Sequence, residues 1–130
     1  VDPGSSLEIE GTSWKLIQLH FHAPSEHSLD GLHYPMEMHL VHAGPDGKPG
    51  LVVAVFFVQG GETPALAPVF ASLPKEKGAR RDDAAVTLDL LKLLPQDRTY
   101  VAYDGSFTTP PCTEGIKWYV LQTPGGLVRI

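Results

Sequence analysis

In His20-Phe21-His22 two histidines stand at i and i+2, inside a stretch whose side chains alternate over residues 14–22. Alternation of this kind fits an extended strand, whose successive side chains point to opposite faces. On such a strand Leu16, Gln18, His20 and His22 share one side, and Ile17, Leu19 and Phe21 share the other. The second set is wholly apolar and predicts the core side. Both imidazoles then project together from the opposite face. A second strand over 35–42 places Glu37, His39 and Val41 on one face and Met38, Leu40 and His42 on the other. Laid antiparallel beside the first, it lets His39 complete a tripod of imidazoles.

The rest of the chain reads as a β-rich unit. At 130 residues one domain over 1–130 is expected. Hydrophobic residues at 42% against 19% charged place it among globular chains rather than disordered ones. Residues 51–58 form a third strand, apolar on both faces and hence central. The short turn at Gly44-Pro45-Asp46-Gly47 predicts that it pairs antiparallel with the second. Asp30-Gly31 is a turn signal. Residues 63–73, with Pro64 near the start and apolar residues at Leu66, Val69 and Phe70, predict a short helix. Residues 74–83 read as a charged loop, and the leucines of 84–94 fit either helix or irregular packing. Further strands are expected at 100–103 and 115–121, with an extended or turn segment at 106–111 between them. The expected fold class is mainly β: a twisted, largely antiparallel sheet with short helices.

Several function classes are disfavoured. A formal charge of −5, with no basic cluster beyond Arg80-Arg81, argues against nucleic acid. The longest apolar run, 51–58, is too short to cross a bilayer as a helix. The single cysteine, Cys112, rules out a cysteine-based zinc cluster. It reads either as a buried small hydrophobe or as a cysteine whose partner lies outside these residues. Both ends, Val1-Asp2-Pro3-Gly4 and Gly125-Gly126-Leu127-Val128-Arg129-Ile130, read as cut through a larger sheet.

Zinc takes imidazole ligands in tetrahedral geometry. With His20, His22 and His39 bound and no fourth protein ligand evident, one position stays open for water, whose pKa zinc lowers to about 7. Gln18 and Glu37 each lie two residues before a candidate ligand on the same face. Either can accept the proton of an imidazole's second nitrogen. The string His20-X-His22-X3-Glu26 also fits a cupin-type barrel, with Glu26 as fourth ligand and iron, manganese or nickel as metal. That pattern needs a histidine on a later strand, and none follows His42.

Further along, Gly105-Ser106-Phe107-Thr108-Thr109-Pro110-Pro111-Cys112 is a proline-stiffened segment carrying two threonine hydroxyls. It lies within Tyr103-Asp104-Gly105-Ser106-Phe107-Thr108-Thr109-Pro110-Pro111-Cys112-Thr113-Glu114-Gly115, which with Gln18-Leu19-His20-Phe21-His22-Ala23-Pro24-Ser25-Glu26-His27 and Glu37-Met38-His39-Leu40-Val41-His42 makes three blocks. In these blocks the chain resembles an α-class carbonic anhydrase of the bacterial type, over residues 14 to about 123. The resemblance implies that His20, His22 and His39 hold zinc, with water or hydroxide as fourth ligand. It implies that Thr108 accepts the proton of the zinc hydroxide and donates its own to Glu26, which is then an orienter and not a ligand. An ionised carboxylate offers only acceptors, so this polarity is chemically consistent.

By the same likeness Gln18 and Glu37 support His20 and His39, and Thr109 helps position bicarbonate. Val41, Val55, Phe107 and Trp118 form the apolar wall for carbon dioxide. Phe107 stands where a leucine is more usual. The implied reaction is attack of zinc hydroxide on carbon dioxide, giving bicarbonate, with anions and sulfonamide-type inhibitors as competitors. His27 and His42 are expected to form structural hydrogen bonds, and His33 to be exposed. The proton-shuttling histidine of fast members would precede Val1, and none of the six histidines matches it. The resemblance also implies that flanking N- and C-terminal parts are missing. An upstream cysteine would pair with Cys112, the parent protein would be periplasmic or secreted, and a homodimer or association with the missing part is expected.

Overall fold

The computed structural model describes residues 4–81 and 86–129. Parts of the expected loop 74–83 and leucine-rich stretch 84–94 lie outside them, as do residues 1–3 and Ile130.

The strands are β1 (Ser6–Ile9), β2 (Thr12–His22), β3 (Ser28–Leu29), β4 (Leu32–His33), β5 (Met36–Ala43), β6 (Pro49–Gln59), β7 (Tyr100–Ser106), β8 (Glu114–Leu121) and β9 (Gly126–Val128). Among the described residues seven of these form one sheet in the order β1-β2-β5-β6-β8-β7, with β9 on β6; β3 and β4 form a small hairpin. Pairing is antiparallel except where β6 meets β8 and β9. The largely antiparallel sheet expected from the sequence is therefore present, with parallel pairing added along one edge of β6.

β6 is central for the reason its composition gives. Val52, Ala54 and Phe56 pack on one face, with Val53, Val55 and Phe57 on the other. Such a strand is stable only when both faces are covered. Leu16, Met38, Leu40, Val55, Phe57, Leu66, Leu93, Leu121 and Val128 make the back core. Val41, Val52, Ala54, Phe56, Ile116, Trp118 and Val120 make the front core.

The phase of β2 differs from the simple alternation at one point. Its register with β5 shifts between Leu16 and Gln18, a β-bulge at Ile17. The extra residue reverses the facing of everything before it. Leu16 therefore lies in the back core with Leu19 and Phe21, and Ile17 packs at the front with Val41 and Trp118. A bulge leaves no mark in hydrophobic periodicity when the two residues whose faces it exchanges, here Leu16 and Ile17, are both apolar.

The helical expectation over 63–73 resolves into a 3-10 turn, Pro64–Leu66, and one short helix, α1 (Ala67–Ala71). The described part of 84–94 is irregular apart from a 3-10 turn at Leu90–Lys92, whose Asp89 carboxylate accepts from the Leu91 amide. The turn at Asp30-Gly31 has φ of 51° and 77° and closes the β3–β4 hairpin. Positive φ at both positions is the geometry that makes Asp-Gly favourable there. The 106–111 segment is a loop between β7 and β8, as expected. Cys112 on that loop is exposed, with φ of 57°, so it is not a buried hydrophobe.

On the back face an open trough of about 850 Å³ lies between β1, the 88–94 segment and the sheet. Leu16, Leu40, Val53, Leu94 and Leu121 line it.

Because Phe57 is fully buried in the back core, Phe57→Ala should lower unfolding free energy by about 3–5 kcal/mol. Urea titration of the two proteins measures the difference.

Candidate metal centre

The β2–β5 register brings the histidines together. His20 sits directly opposite His39, and His22 opposite Glu37. Paired residues of antiparallel strands share a face, so all four point to the front. One ring nitrogen from each of His20, His22 and His39 lies within 4.8 Å of the others. The ring centroids stand 4.6–5.2 Å apart at interplanar angles of 53–84°, so the rings are not stacked.

Each ring has one nitrogen committed or free in a way that suits coordination. Nδ1 of His20 is 2.8 Å from Oε1 of Gln18, leaving Nε2 available. Nε2 of His39 donates to Oε2 of Glu37, leaving Nδ1. Nδ1 of His22 lies 3.5 Å from Oε1 of Glu26, and its Nε2 is buried with no hydrogen-bond partner. Buried polar atoms are rarely left orphaned unless a water or an ion satisfies them. That bare nitrogen, facing two others, fits a metal ion. Burial, with His39 and His22 alongside, lowers the pKa of His20 despite the opposing charge of Glu26. The ring is thus held neutral, the state a ligand requires.

Glu37 is completely buried. Burial pushes its pKa up, yet hydrogen bonds from the His27 ring, the His39 ring and the His27 amide pull it from 4.5 down to about 2. The amide of His27 is 2.9 Å from Oε1 and its Nδ1 is 2.7 Å from Oε2. Buried charge is tolerated when several donors surround it.

The loop carrying Glu26 and His27 is pinned by buried Ser25. Its Oγ donates to the His27 carbonyl at 2.7 Å and accepts from the Tyr34 amide at 2.9 Å. His33 is exposed as expected, but its Nδ1 lies 2.8 Å from the Ser25 carbonyl. His42 is buried on the back face and bonds the Leu40 carbonyl through Nδ1 at 2.9 Å.

The other sequence candidates fall in different places. Val41, Phe107 and Trp118 join the front core near the histidines. Trp118 packs edge-on to His39 at 4.9 Å, and its Nε1 donates to the Ser106 carbonyl at 3.0 Å. Val55 does not join them. It is an odd-numbered β6 residue, turned to the back core, where its Cγ1 crowds Gly125. On the front face Val52 is the β6 residue opposite Val41. Thr108 and Thr109 are exposed on the β7–β8 loop, and no hydrogen bond joins Thr108 to Glu26 among the described residues. His27 makes the structural hydrogen bonds expected of it, and one of them, to the Tyr103 hydroxyl 76 residues away, is a pairing the motifs did not foresee.

The family model described as eukaryotic-type carbonic anhydrase matches residues 4–129. The chain belongs to the α-class carbonic anhydrase family. A carbonic anhydrase of Klebsiella pneumoniae is 46% identical over 119 residues, covering 92% of this chain and 48% of that protein. The α-carbonic anhydrase of Thermovibrio ammonificans, solved with the inhibitor sulfanilamide, superposes with a TM-score of 0.86 at 45% identity. That match covers 93% of this chain and 53% of the other. The plant protein dioscorin DB3S of Dioscorea polystachya is 36% identical over 118 residues, 90% of this chain and 44% of its own. The chain thus spans about half the length of the curated relatives it matches.

The carbonic-anhydrase sheet gives Glu37 a testable acid dependence. Its folded pKa of about 2 lies below the ordinary 4.5, so its stabilising contribution is complete above pH 4.5 and lost as pH falls toward 2. Glu37→Gln should lower the stability of the metal-free protein at pH 7 by about 1–3 kcal/mol. It should also flatten the loss between pH 5 and 2. Denaturant midpoints across that range check both.

Proposed function

We propose that this chain carries the metal centre of a zinc enzyme that reversibly hydrates carbon dioxide to bicarbonate and a proton. The observation that carries the reading is the three-imidazole cluster with its orphaned His22 Nε2, in a family whose relatives are carbonic anhydrases. Three neutral imidazoles suit zinc with one position open, and zinc held there lowers the pKa of a bound water to about 7.

The residues divide the remaining work. Gln18 and Glu37 fix which nitrogen His20 and His39 present. In this reading Thr108, which makes no hydrogen bond to Glu26 among the described residues, would accept the hydrogen bond of the attacking oxygen and donate its own hydroxyl hydrogen to Glu26. That aims a lone pair at the carbon dioxide carbon. Thr109 helps hold bicarbonate. Val41, Val52, Phe107 and Trp118 give the apolar side on which an uncharged gas is not outcompeted by water. Anions and sulfonamide-type inhibitors compete for the same position. In this reading the parent protein is periplasmic or secreted, where an exposed thiol such as Cys112 finds a disulfide partner. Among the described residues no helix is long and apolar enough to cross a membrane. In the same reading the chain pairs as a homodimer or associates with the missing part of the fold, which light scattering separates.

A second reading rests on the back-face trough and the half-length match. This stretch binds zinc but hydrates carbon dioxide weakly or not at all unless the rest of the fold is present. Stopped-flow hydration with zinc measured on the same sample distinguishes the two. Zinc near one per chain with hydration well above a metal-free control supports the enzyme. Zinc near one with no hydration leaves only the binding protein, and zinc near zero removes both. In an active sample Thr108→Ala should cut kcat/KM by about 100-fold while zinc content stays unchanged.

A further inference from the structure

Two of the three clustered imidazoles have a firm partner on the nitrogen turned away from the cluster. Nδ1 of His20 meets Oε1 of Gln18, and Nε2 of His39 meets Oε2 of Glu37. The third, His22, turns Nδ1 toward Oε1 of Glu26 at 3.5 Å. That is longer than an ordinary N–H···O bond of about 3 Å, so the contact as it stands is electrostatic. Only one tautomer suits it. With hydrogen on Nδ1, His22 points a donor at the carboxylate and leaves Nε2 bare. With hydrogen on Nε2, a buried N–H would lack an acceptor, and the Nδ1 lone pair would face an anion. The second arrangement carries two penalties and the first none.

Glu26 is a neighbour of this ligand rather than a fourth ligand. Among the described residues, the side chains close enough to share one ion are His20, His22 and His39, or His27, Glu37 and His39. Glu26 belongs to neither group. Its place is set by the residue before it. Ser25, 3% exposed, has every polar group engaged. Its amide donates to the Tyr34 carbonyl at 2.9 Å, and its carbonyl accepts from Nδ1 of His33 at 2.8 Å. Its hydroxyl accepts from the Tyr34 amide at 2.9 Å and donates to the His27 carbonyl at 2.7 Å. Tyr34 in turn stacks on fully buried Phe56, with centroids 4.4 Å apart at 20°. Glu26 lies between Ser25 and His27, whose amide is bonded to Glu37. Its backbone is therefore fixed on both sides.

We propose that Glu26 is a positioning residue for the metal ligand His22, as Gln18 is for His20 and Glu37 for His39, with the Ser25 hydroxyl holding its backbone in place. This rests on the zinc reading above and adds to the part given there to Glu26. Oε1 takes His22 and Oε2 is left for Thr108; an ionised carboxylate has acceptors enough for both. A cation on Nε2 polarises Nδ1–H and strengthens its pull on the carboxylate, so the partner raises metal affinity.

Zinc dissociation constants and zinc-free thermal midpoints for the parent chain, Glu26→Leu, Glu26→Gln, Ser25→Ala and Thr108→Ala test it. Glu26→Leu should weaken zinc by about 10–100-fold. Glu26→Gln, whose amide oxygen still accepts, should recover most of that loss, and Ser25→Ala should fall between. Thr108→Ala should leave the affinity unchanged. A loss there as large as in Glu26→Leu would trace the effect to the Thr108 partnership and overturn the proposal. Unchanged affinity in Glu26→Leu with a lowered thermal midpoint would mean a purely structural role and also overturns it. The Glu26 side chain is 32% exposed at the rim, so that variant decides alone should Ser25→Ala fail to fold. Failure of the parent chain to bind zinc would overturn the zinc reading instead. Nitrogen-15 NMR of the zinc-free protein in mildly alkaline buffer then reads His22 directly. A ring protonated on Nδ1 in the parent chain that loses this preference in Glu26→Leu supports the proposal. The same tautomer in both proteins overturns it.

Discussion

The pairing of β2 with β5 is the constraint on which the rest of this structure depends. Side chains on a strand repeat every two residues, so a slip of one residue would put His20 and His22 on the opposite face from His39. The register is held from the back, where Leu19 meets Leu40 and Phe21 meets Met38. On the front, Glu37 of β5 takes two hydrogen bonds from His27 on the loop that follows β2. The apolar face thus fixes the position of the polar one. The bulge at Ile17 lets a single strand serve both cores, ending its first half in the back layer and beginning the site with Gln18.

Glu37 joins the site to the interior. A carboxylate with no solvent access costs several kcal/mol unless it is well hydrogen-bonded. Here three donors converge on it, two from His27 and one from His39. Its ionisation and the tautomers of both rings are therefore set together. Trp118 completes the support by contacting His27, His39 and Tyr103 with one rigid plane. A site built on neighbouring strands and buttressed this way keeps its geometry before any ligand arrives.

The two faces of the sheet are finished to different degrees. The front carries a packed apolar layer around the histidines. The back is covered by the 64–71 helical segment and Leu93 at one end, and opens into the apolar trough at the other. Relatives of about twice this length share the sheet. The three histidines draw on the front face and the β2–β5 pair, whereas Thr108 lies on the exposed β7–β8 loop, with no hydrogen bond to Glu26 among the described residues.

By itself the sequence determined the strand identities of β2, β5 and β6, the front-facing histidines and the two residues that orient them. Those follow from a period of two, which is local and survives any packing. Three placements were legible only in the fold. Leu16 left the histidine face because of the bulge at Ile17, which exchanges the faces of two apolar residues and so has no signature in periodicity. Val55 faces the back and Val52 the front because β6 is apolar on both sides, so its composition gives no phase. Tyr103 reaches His27 across 76 residues because β7 closes the far edge of the sheet. No spacing rule spans such a distance, since only tertiary packing brings those two side chains within a hydrogen bond.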